Sequence, residues 1–362
     1  MGEKLKKRSF WIRLMLFFVG IFAIIGLCSM LLCVLNPMIS PNKFVYSSFF
    51  GLAFWPIFFF NLLIIFLLLI LKSKKTLLFT FLALILTLPG FLKSYSLKKA
   101  SEDAGNLKVM SYNVAHFIDI TDNQRDVNSV QADFIEMVKA QRPDLICLQE
   151  CHFSKPRLVE FSQQLGYRYC DRINRYGNCI ISKYPIKDDE YTKNFNALGN
   201  IGIAKLIDAG GLGEFYVECV HLKSFELTQD NLDYLNTKQY YNDTETKGKS
   251  LLFKLKVGFE KRTYDTKALT GNMPETGIPI IICGDFNDTP MSYTYRQMRK
   301  VGLHDAFLNV GHGIGKTYCN NLPLLRIDYI WYSDGVVPMT FSKIEKKMSD
   351  HYPITMTFDL TH

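Results

Sequence analysis

The stretch that decides the fold is IPIIICGDFNDTP at residues 278–290, where an apolar run ends at Gly284 and leads into Asp285 and Asn287. A run this rich in isoleucine predicts a buried strand. Residues two apart lie on the same side of a strand, so a carboxylate and a carboxamide are predicted to project together from its end. Such a pair could cap a helix or hold a reacting water, and the other strand ends decide between these interpretations.

From Leu107 onwards, short apolar strands alternate with amphipathic helices, which predicts one α/β domain over residues 107–362. A polar segment at residues 224–248 interrupts the alternation, and we interpret it as a flap over an active site. Residues 97–106 read as a linker. The predicted strands are LKVMSYNV, DLICLQE, NCIISKYPI, NIGIAKLI, EFYVECVHLK, IPIIICGDFN, RIDYIWYS and YPITMTFDL, and the predicted helices lie at 127–141, 156–165, within 249–269 and at 292–301.

The N-terminal part of the chain is strongly apolar. Uncharged runs at residues 14–35, 44–71 and 77–92 predict a membrane anchor over residues 1–96 with about three transmembrane helices. A cleaved signal peptide is the alternative for the first run, but three successive apolar runs favour an anchor. Basic residues at 3–8 and 72–75 favour the cytoplasmic side, so a third crossing would place the remainder on the non-cytoplasmic side.

Charge and cysteine content narrow the function classes. Residues 1–105 hold 12 Lys/Arg and 3 Asp/Glu, whereas the remainder holds 30 and 31, so the overall +8 gives no argument for a nucleic-acid-binding face. The stretch KLKVGFEKR at 254–262 could still form a local basic patch, or simply a solvated helix face. Cys147, Cys219 and Cys283 fall inside apolar strands, where a thiol behaves as a small buried hydrophobe.

Polar residues recur where the predicted strands end. Taken singly, each has an ordinary structural explanation, such as a turn, a helix cap or a solvated histidine. Their recurrence within one domain favours phosphoester hydrolysis, because carboxylate and amide oxygens suit Mg²⁺ or Mn²⁺, and a histidine beside a carboxylate can bind phosphate or move a proton. The residues are Asn113, Glu150, His221, Asp285 with Asn287, Asp328, and Asp350 with His351.

The motifs SYNV, DLICLQE, YGNCIISKYPI, HLKS, GDFNDTP, RIDYIW and SDHYPI, in this order, resemble the endonuclease/exonuclease/phosphatase superfamily, the DNase I-like enzymes. The resemblance covers residues 107–360 and implies a four-layer α/β sandwich with two mixed β-sheets, preceded here by the N-terminal helices. It also implies a divalent cofactor, Mg²⁺ or Mn²⁺. Ala115, where the abasic-site branch has a polar residue, argues against a role in abasic-site repair.

The resemblance implies a role for each polar strand end. Glu150 is expected to be the principal metal ligand, with Asn113 and Asp350 as further contacts to the metal, and Asp285 is expected to activate the attacking water. The remaining roles are implied in the same way: Asn287 positions water or phosphate, Asp328 orients a phosphate-binding His351, His221 acts on the phosphate or leaving group, and Asn113 and Asn178 contact the substrate.

The expected activity is that of a membrane-anchored, metal-dependent phosphoester hydrolase. Its substrate could be nucleic acid, a phospholipid such as sphingomyelin, or a phosphorylated small molecule, and its partner in the bilayer is lipid. The alternative from another class is a non-catalytic membrane-binding protein that retains the fold, which predicts loss of some polar strand ends. No obligate protein partner is predicted.

Overall fold

A computed structural model describes residues 2–71, 76–98, 105–118, 126–173, 177–198, 201–225, 244–319 and 324–361. The chain divides into two compact units, residues 1–93 with 290–293, and residues 94–289 with 294–362. The predicted flap lies outside the described residues from 226 to 243, and its last residues begin a helix.

The N-terminal unit is helical. Its helices are α1 (Gly2–Leu35), α2 (Tyr46–Leu52), α3 (Phe54–Ile70) and α4 (Thr76–Ser94). Among the described residues, α1 alone is long and apolar enough to cross a membrane, over Phe10–Met38, and a signal sequence near the N-terminus has the same properties. The second apolar run is not one straight span, because α2 and α3 meet at a bend of 69°. The third run forms a shorter apolar helix, Leu78–Ser94.

The second unit contains two six-stranded sheets and six helices within its described residues. The strands are β1 (Tyr95–Ser96), β2 (Leu107–Asn113), β3 (Leu145–Gln149), β4 (Tyr169–Arg172), β5 (Cys179–Ser182), β6 (Ile186–Lys187), β7 (Gly202–Asp208), β8 (Glu214–His221), β9 (Ile280–Asp285), β10 (His304–Asp305), β11 (Gly313–Ile314), β12 (Asp328–Tyr332), β13 (Val336–Lys343) and β14 (Ile354–Leu360). The first sheet has the order β13-β14-β2-β3-β5-β4 and the second the order β10-β12-β9-β8-β7-β6, while β1 and β11 form a small separate pair.

Alternation along the strands builds a layered core. In β2, Val109 belongs to the cluster shared by both sheets, whereas its neighbour Met110 faces a helical layer. In β9, Ile281 and Ile282 divide in the same way between the inter-sheet core and the other helical layer. The helices of this unit are α5 (Val127–Gln141), α6 (Lys155–Gln164), α7 (Glu190–Ala197), α8 (Thr244–Gly271), α9 (Tyr293–Lys300) and α10 (Ala306–Val310). The resulting order, helices–sheet–sheet–helices, is the expected four-layer sandwich.

Strand direction brings the polar ends of the second sheet together. Strands β8 and β9 are parallel, and their last residues His221 and Asp285 are paired in register. Strand β12 runs antiparallel to β9, so its first residue, Asp328, lies opposite Asp285. Three polar side chains from three strands therefore lie at one edge of this sheet.

The first sheet places its polar ends in the same way. Strands β2 and β3 are parallel, with Asn113 opposite Gln149, so Glu150 follows directly beyond the same edge. Strand β14 is antiparallel to β2, and its first residue, Ile354, pairs with Ser111. The segment leading into β14, which carries Asp350 and His351, therefore arrives at the edge where β2 ends.

Candidate active site

Asn113 joins the two sheets at this edge. Its amide nitrogen donates to Glu150 Oε1 and to Asp285 Oδ2, each at 3.1 Å. Its amide oxygen accepts from the backbone N–H of Ala115 at 3.0 Å. An N–H placed between two carboxylates offsets their repulsion, so Asn113 allows the two acidic side chains to share one site.

The residues of GDFN are positioned by a close backbone approach and a local turn. A Cβ on Gly284 would lie 1.9 Å from the Val220 carbonyl oxygen, so only glycine fits beside the neighbouring strand. Beyond it, Asn287 adopts a left-handed conformation with φ 53° and donates its backbone N–H to Asp285 Oδ1 at 2.8 Å. Its amide nitrogen donates to the Leu222 carbonyl and to Asp285 Oδ2, each at 3.1 Å. Asn287 thus fixes the orientation of the Asp285 carboxylate.

His351 is held by a carboxylate on its far side. Its Nδ1 donates to Asp328, at 2.9 Å from Oδ2 and 3.1 Å from Oδ1. Its Nε2 lies 3.7 Å from Asp285 Oδ2. The Ser349 hydroxyl donates to the Asn113 carbonyl at 2.9 Å and accepts the His351 backbone N–H at 3.3 Å. His351 is therefore hydrogen-bonded to Asp328 through Nδ1, and its Nε2 lies on the side of Asp285.

His221 approaches both acidic residues without bonding to either. Its Nε2 lies 3.6 Å from Glu150 Oε1 and 3.6 Å from Asp285 Oδ2, beyond hydrogen-bond distance. Within the described part of the chain this buried nitrogen has no hydrogen-bond partner. A buried nitrogen between two carboxylates that neither of them satisfies is poised for a ligand atom.

The residues that lead into β5, Gly177 and Asn178, lie against the turn that follows β3 and carries Glu150. Glu150 is itself left-handed, with φ 56°, and a Cβ on Gly177 would lie 3.0 Å from its Cα, so the two turns pack closely. Asn178 is fully buried, yet neither its amide oxygen nor its nitrogen has a hydrogen-bond partner among the described residues. Because such groups are nearly always paired, the two open positions suit a bound polar ligand.

The pKa values of Asp285 and Glu150 are shifted in opposite directions. Burial raises the pKa of Asp285 to about 6, although the imidazoles of His351 and His221 act to lower it. Burial also acts to raise the pKa of Glu150, but His221 and the Asn113 hydrogen bond outweigh it, so the net shift is downward. Glu150 therefore stays ionised at neutral pH, whereas Asp285 can exchange a proton there.

The same field acts on His351. Burial alone would lower the pKa of the imidazole, but the carboxylates of Asp328, Asp285 and Asp350 raise it well above its ordinary value. His351 is thus an imidazolium at neutral pH, suited to an anionic oxygen. Asp350 contributes through its charge, and in the described part of the chain its own carboxylate is hydrogen-bonded to Ser349 Oγ at 3.1 Å rather than to Glu150 or Asn113.

A divalent cation could be held at either of two places, a closed group of three side chains or the more exposed carboxylate of Glu150. Asp285, Asp328 and His351 offer ligand atoms that all lie within 4.8 Å of one another. Those three side chains are 2 %, 3 % and 5 % exposed, whereas Glu150 is 27 % exposed. Because Mg²⁺ and Mn²⁺ bind oxygen ligands and Mg²⁺ usually keeps several waters, the more open carboxylate of Glu150 fits a hydrated cation better than the closed group does.

Sequence reasoning missed two histidines beside Glu150. His116 Nε2 lies 3.5 Å from Glu150 Oε2, and the His152 ring lies 4.5 Å from the His116 ring. Both lie just beyond motifs already singled out, since His116 is two residues after the last residue of SYNV and His152 is two residues after Glu150. Their contact depends on turns that strand patterns do not predict.

Comparison with known proteins adds family membership to this geometry. The model of the endonuclease/exonuclease/phosphatase family matches residues 110–351, and the model of a domain of unknown function matches residues 12–95. A DNA-(apurinic or apyrimidinic site) endonuclease of Dictyostelium discoideum is 25 % identical over 197 residues, covering 53 % of this chain. The chain spans 45 % of the length of that relative.

Solved structures with a similar fold include three nuclease-related or sulfate-bound proteins. A 3'-5' exonuclease from Neisseria meningitidis is 18 % identical with a TM-score of 0.48, covering 70 % of this chain and 100 % of its own. An AP endonuclease from Archaeoglobus fulgidus is 15 % identical with a TM-score of 0.48 and the same coverage. The human Nocturnin catalytic domain with bound sulfate is 17 % identical with a TM-score of 0.47, covering 72 % and 96 %. On the family match over residues 110–351, together with its two mixed sheets, the chain belongs to the endonuclease/exonuclease/phosphatase family.

Proposed function

We propose that the protein is a divalent-metal-dependent phosphodiesterase in which a water molecule attacks phosphorus. The observation that carries the proposal is the Asn113 amide, which donates to Glu150 and Asp285 together and so joins the edges of both sheets. Around that junction lie two imidazole nitrogens, on His221 and His351, within 3.7 Å of Asp285. Acid, base and phosphate-binding groups are thus gathered at one place, as phosphoester hydrolysis requires.

Asp285 is the proposed base. A carboxylate whose pKa is about 6 is ionised at neutral pH yet basic enough to accept a proton from a water in contact with Oδ2. The Asn287 contacts keep this oxygen pointing into the site. His351, charged and held by Asp328, binds a phosphoryl oxygen through Nε2 and offsets the negative charge that develops there. His221 Nε2 serves the leaving group or a second phosphoryl oxygen.

Glu150 would hold the divalent cation, Mg²⁺ or Mn²⁺, with Asp350 and the Asn113 carboxamide as nearby contacts. When bound, the cation would supply charge stabilisation at the phosphoryl group. In the present orientation Asn113 directs its N–H and not its oxygen to Glu150, so a ligand role requires the amide to turn. Asn178, with both amide atoms open, is the proposed contact to the substrate phosphate.

We further propose that α1 attaches the protein to a membrane, with α2–α4 completing an anchor over residues 1–96 and the catalytic unit on the non-cytoplasmic side. Support comes from the apolar stretch Phe10–Met38 and from the basic residues at 3–8. A phosphodiester in lipid, in nucleic acid or in a small molecule contains the same reacting group. The substrate class is therefore an outcome of experiment.

The test is hydrolysis of bis-p-nitrophenyl phosphate by the full-length chain, stripped of metal and then supplied with Mg²⁺ or Mn²⁺. We expect turnover with metal and its loss on chelation. Glu150→Gln should lower turnover by about 100-fold or more, as expected when a group that stabilises the transition state is removed. The matched control is Glu160→Gln, on the exposed face of α6, which should leave turnover unchanged.

Equal turnover by Glu150→Gln and wild type would refute the assignment of the site. A panel of plasmid DNA, RNA, sphingomyelin, phosphoinositides and nucleotides, tested under the same conditions, would then rank the substrate classes. No turnover of any of these with either metal would favour the non-catalytic alternative.

A further inference from the structure

The loop that follows β2 has an unusual backbone. Ala115, His116 and Phe117 are consecutive left-handed residues, with φ of 42°, 60° and 60°, and none of them is glycine. Side chains disfavour this conformation, so three in a row persist only where surrounding contacts impose them, and such strain is concentrated at functional sites.

The contacts that impose this turn come from the site itself. The Ala115 N–H donates to the Asn113 side chain at 3.0 Å, and the His116 N–H donates to the Glu150 carbonyl at 3.2 Å. Phe117, 1 % exposed, then anchors the loop in the core below. The turn is therefore constructed on Glu150 and Asn113, and its effect is to direct one side chain outward over Glu150.

That side chain is the imidazole of His116. Its Nε2 lies 3.5 Å from Glu150 Oε2, which is too long for a hydrogen bond. Two ligands of one cation, each at 2.0–2.2 Å from it, lie about 3 to 3.5 Å apart. Ala115 offers no ligand atom, so His116 supplies the first donor side chain after Asn113 along the chain.

The His116 side chain is accessible to solvent and is packed against a neighbouring histidine. The His116 side chain is 47 % exposed, so a hydrated cation can reach it, and Glu150 beside it is 27 % exposed. The His152 ring lies at 4.5 Å with an interplanar angle of 38° and limits the rotation of the His116 ring. His152 is thus a positioning residue for this imidazole.

We propose that His116 is a ligand of the divalent cation at Glu150 and that its imidazole biases the site towards first-row transition metals over Mg²⁺. The inference rests on the cation site of the proposed function. An imidazole nitrogen is a good ligand for borderline metals, whereas Mg²⁺ prefers oxygen donors. Replacing the imidazole should therefore weaken the binding of Co²⁺ much more than that of Mg²⁺.

The test uses the full-length, metal-stripped chain titrated calorimetrically with Co²⁺ alone and with Mg²⁺ alone. His116→Gly removes the imidazole and accepts the left-handed backbone without strain. His116→Asn also tolerates this backbone and offers a hard oxygen in place of nitrogen. In both variants we expect Co²⁺ affinity to fall by about 10- to 100-fold, the loss typical when a group at a metal site is removed, with Mg²⁺ affinity retained.

The control is His312→Ala, an exposed histidine directly before β11, which should change neither affinity. Circular dichroism checks that each variant is folded, and the asparagine variant keeps the test open if the glycine variant is not. Unchanged Co²⁺ affinity, or an equal loss for both metals, overturns the proposal. The readout is heat of binding, so the test is independent of hydrolytic activity. If Co²⁺ binding depends on His116 but the chain has no hydrolytic activity, only the proposed function is refuted. If the chain hydrolyses its substrate but the variants bind Co²⁺ as the wild type does, only this inference is refuted.

Discussion

Two clusters of buried polar side chains differ in how completely they are paired. The Lys205 side chain is 5 % exposed, and its Nζ lies 2.7 Å from Asp188 Oδ1 and 2.5 Å from Asp171 Oδ2, so the ammonium group forms ion pairs with two carboxylates. At the active-site edge, both amide atoms of Asn178 and the Nε2 of His221 lack hydrogen-bond partners within the described residues. The polar groups around Lys205 bond to one another, whereas Asn178 and His221 leave positions open for a ligand.

The difference has an energetic meaning. Lys205 lies on β7 of the second sheet, and Asp171 lies on β4, the edge strand of the first, so their ion pair links the two sheets. A buried polar atom left without a partner costs about 1–3 kcal/mol. The fold carries that cost at Asn178 and His221, which is understandable if substrate or water offsets it.

Among the substitutions that test this difference between open and paired groups, Asn178→Ala is expected to have the largest effect, and that effect is on catalysis. Removing two amide atoms that have no partner among the described residues should lower kcat/KM by about 100-fold, equivalent to about 2.7 kcal/mol, through loss of a substrate contact. The free energy of unfolding should not fall, because the amide has no hydrogen bond among the described residues to lose and its removal relieves the cost of two unpaired buried atoms. Turnover of bis-p-nitrophenyl phosphate and the free energy of unfolding in urea measure the two effects.

Asn196→Ala is the matched control for that prediction. Asn196 donates to the Ala204 carbonyl at 3.1 Å and accepts the Ala204 N–H at 2.8 Å, so its amide is paired on both sides. Its loss should lower stability and leave kcat/KM intact. If Asn178→Ala behaved like Asn196→Ala, the contrast between open and paired groups would be wrong.

Lys205→Met should have the second-largest effect, and on stability alone. The substitution keeps most of the side-chain length but leaves Asp171 and Asp188 without their shared cation. Both carboxylates are partly exposed, so we expect a loss of about 2 kcal/mol in the free energy of unfolding. The kcat/KM of the folded enzyme should equal that of wild type, and a large fall in it would show that the network serves catalysis.

Glu218 tests whether an unpaired buried atom always marks a site. It is buried on a core strand, and one of its carboxylate oxygens has no hydrogen-bond partner among the described residues. Burial raises its pKa from 4.5 to about 8, despite the Tyr191 hydroxyl donating to it. The folded state therefore keeps a proton that the unfolded state has lost, and the stability that this proton contributes is lost as pH rises from 4.5 to 8. An isolated unpaired oxygen is accommodated by protonation instead of marking a site.

Glu218→Gln should remove this pH dependence and have the smallest effect. Between pH 6 and 7 the wild type should lose stability relative to the variant by about 1.4 kcal/mol at most, the limit for one proton. Denaturant unfolding of both proteins at the two pH values measures the difference. Parallel stability curves would contradict a neutral Glu218 in the folded protein.

The core strands could be predicted because their burial alternates or is continuous, as in β2 and β9. Five of the described strands were missed. Three of them, β1, β10 and β11, have only two residues each, and the other two, β4 and β13, are edge strands of the first sheet with mostly half-buried residues. Such strands have a weak apolar pattern, since they pair on one side only. Helix α7 was also missed, although its capping box of Asp189 and Thr192 was a readable start signal.

Those residues of the site that lie at the ends of strands could be predicted from the sequence. That Glu150, Asp285 and His351 meet depends on strand order, a long-range property that the family resemblance supplied and local pattern did not. His116 could not be predicted, because its position depends on a left-handed turn of three ordinary residues. Propensities predict no such turn, which exists only because Asn113 and Glu150 bond to its backbone.

The central claim is most directly tested by hydrolysing bis-p-nitrophenyl phosphate in water enriched in oxygen-18, with the full-length chain and Mg²⁺ or Mn²⁺. If water attacks phosphorus, the p-nitrophenyl phosphate product carries one heavy oxygen. Asp285→Asn should then release product about 100- to 10,000-fold more slowly while its circular dichroism spectrum shows that it remains folded. Product without the label, or undiminished release by the folded variant, would contradict the account.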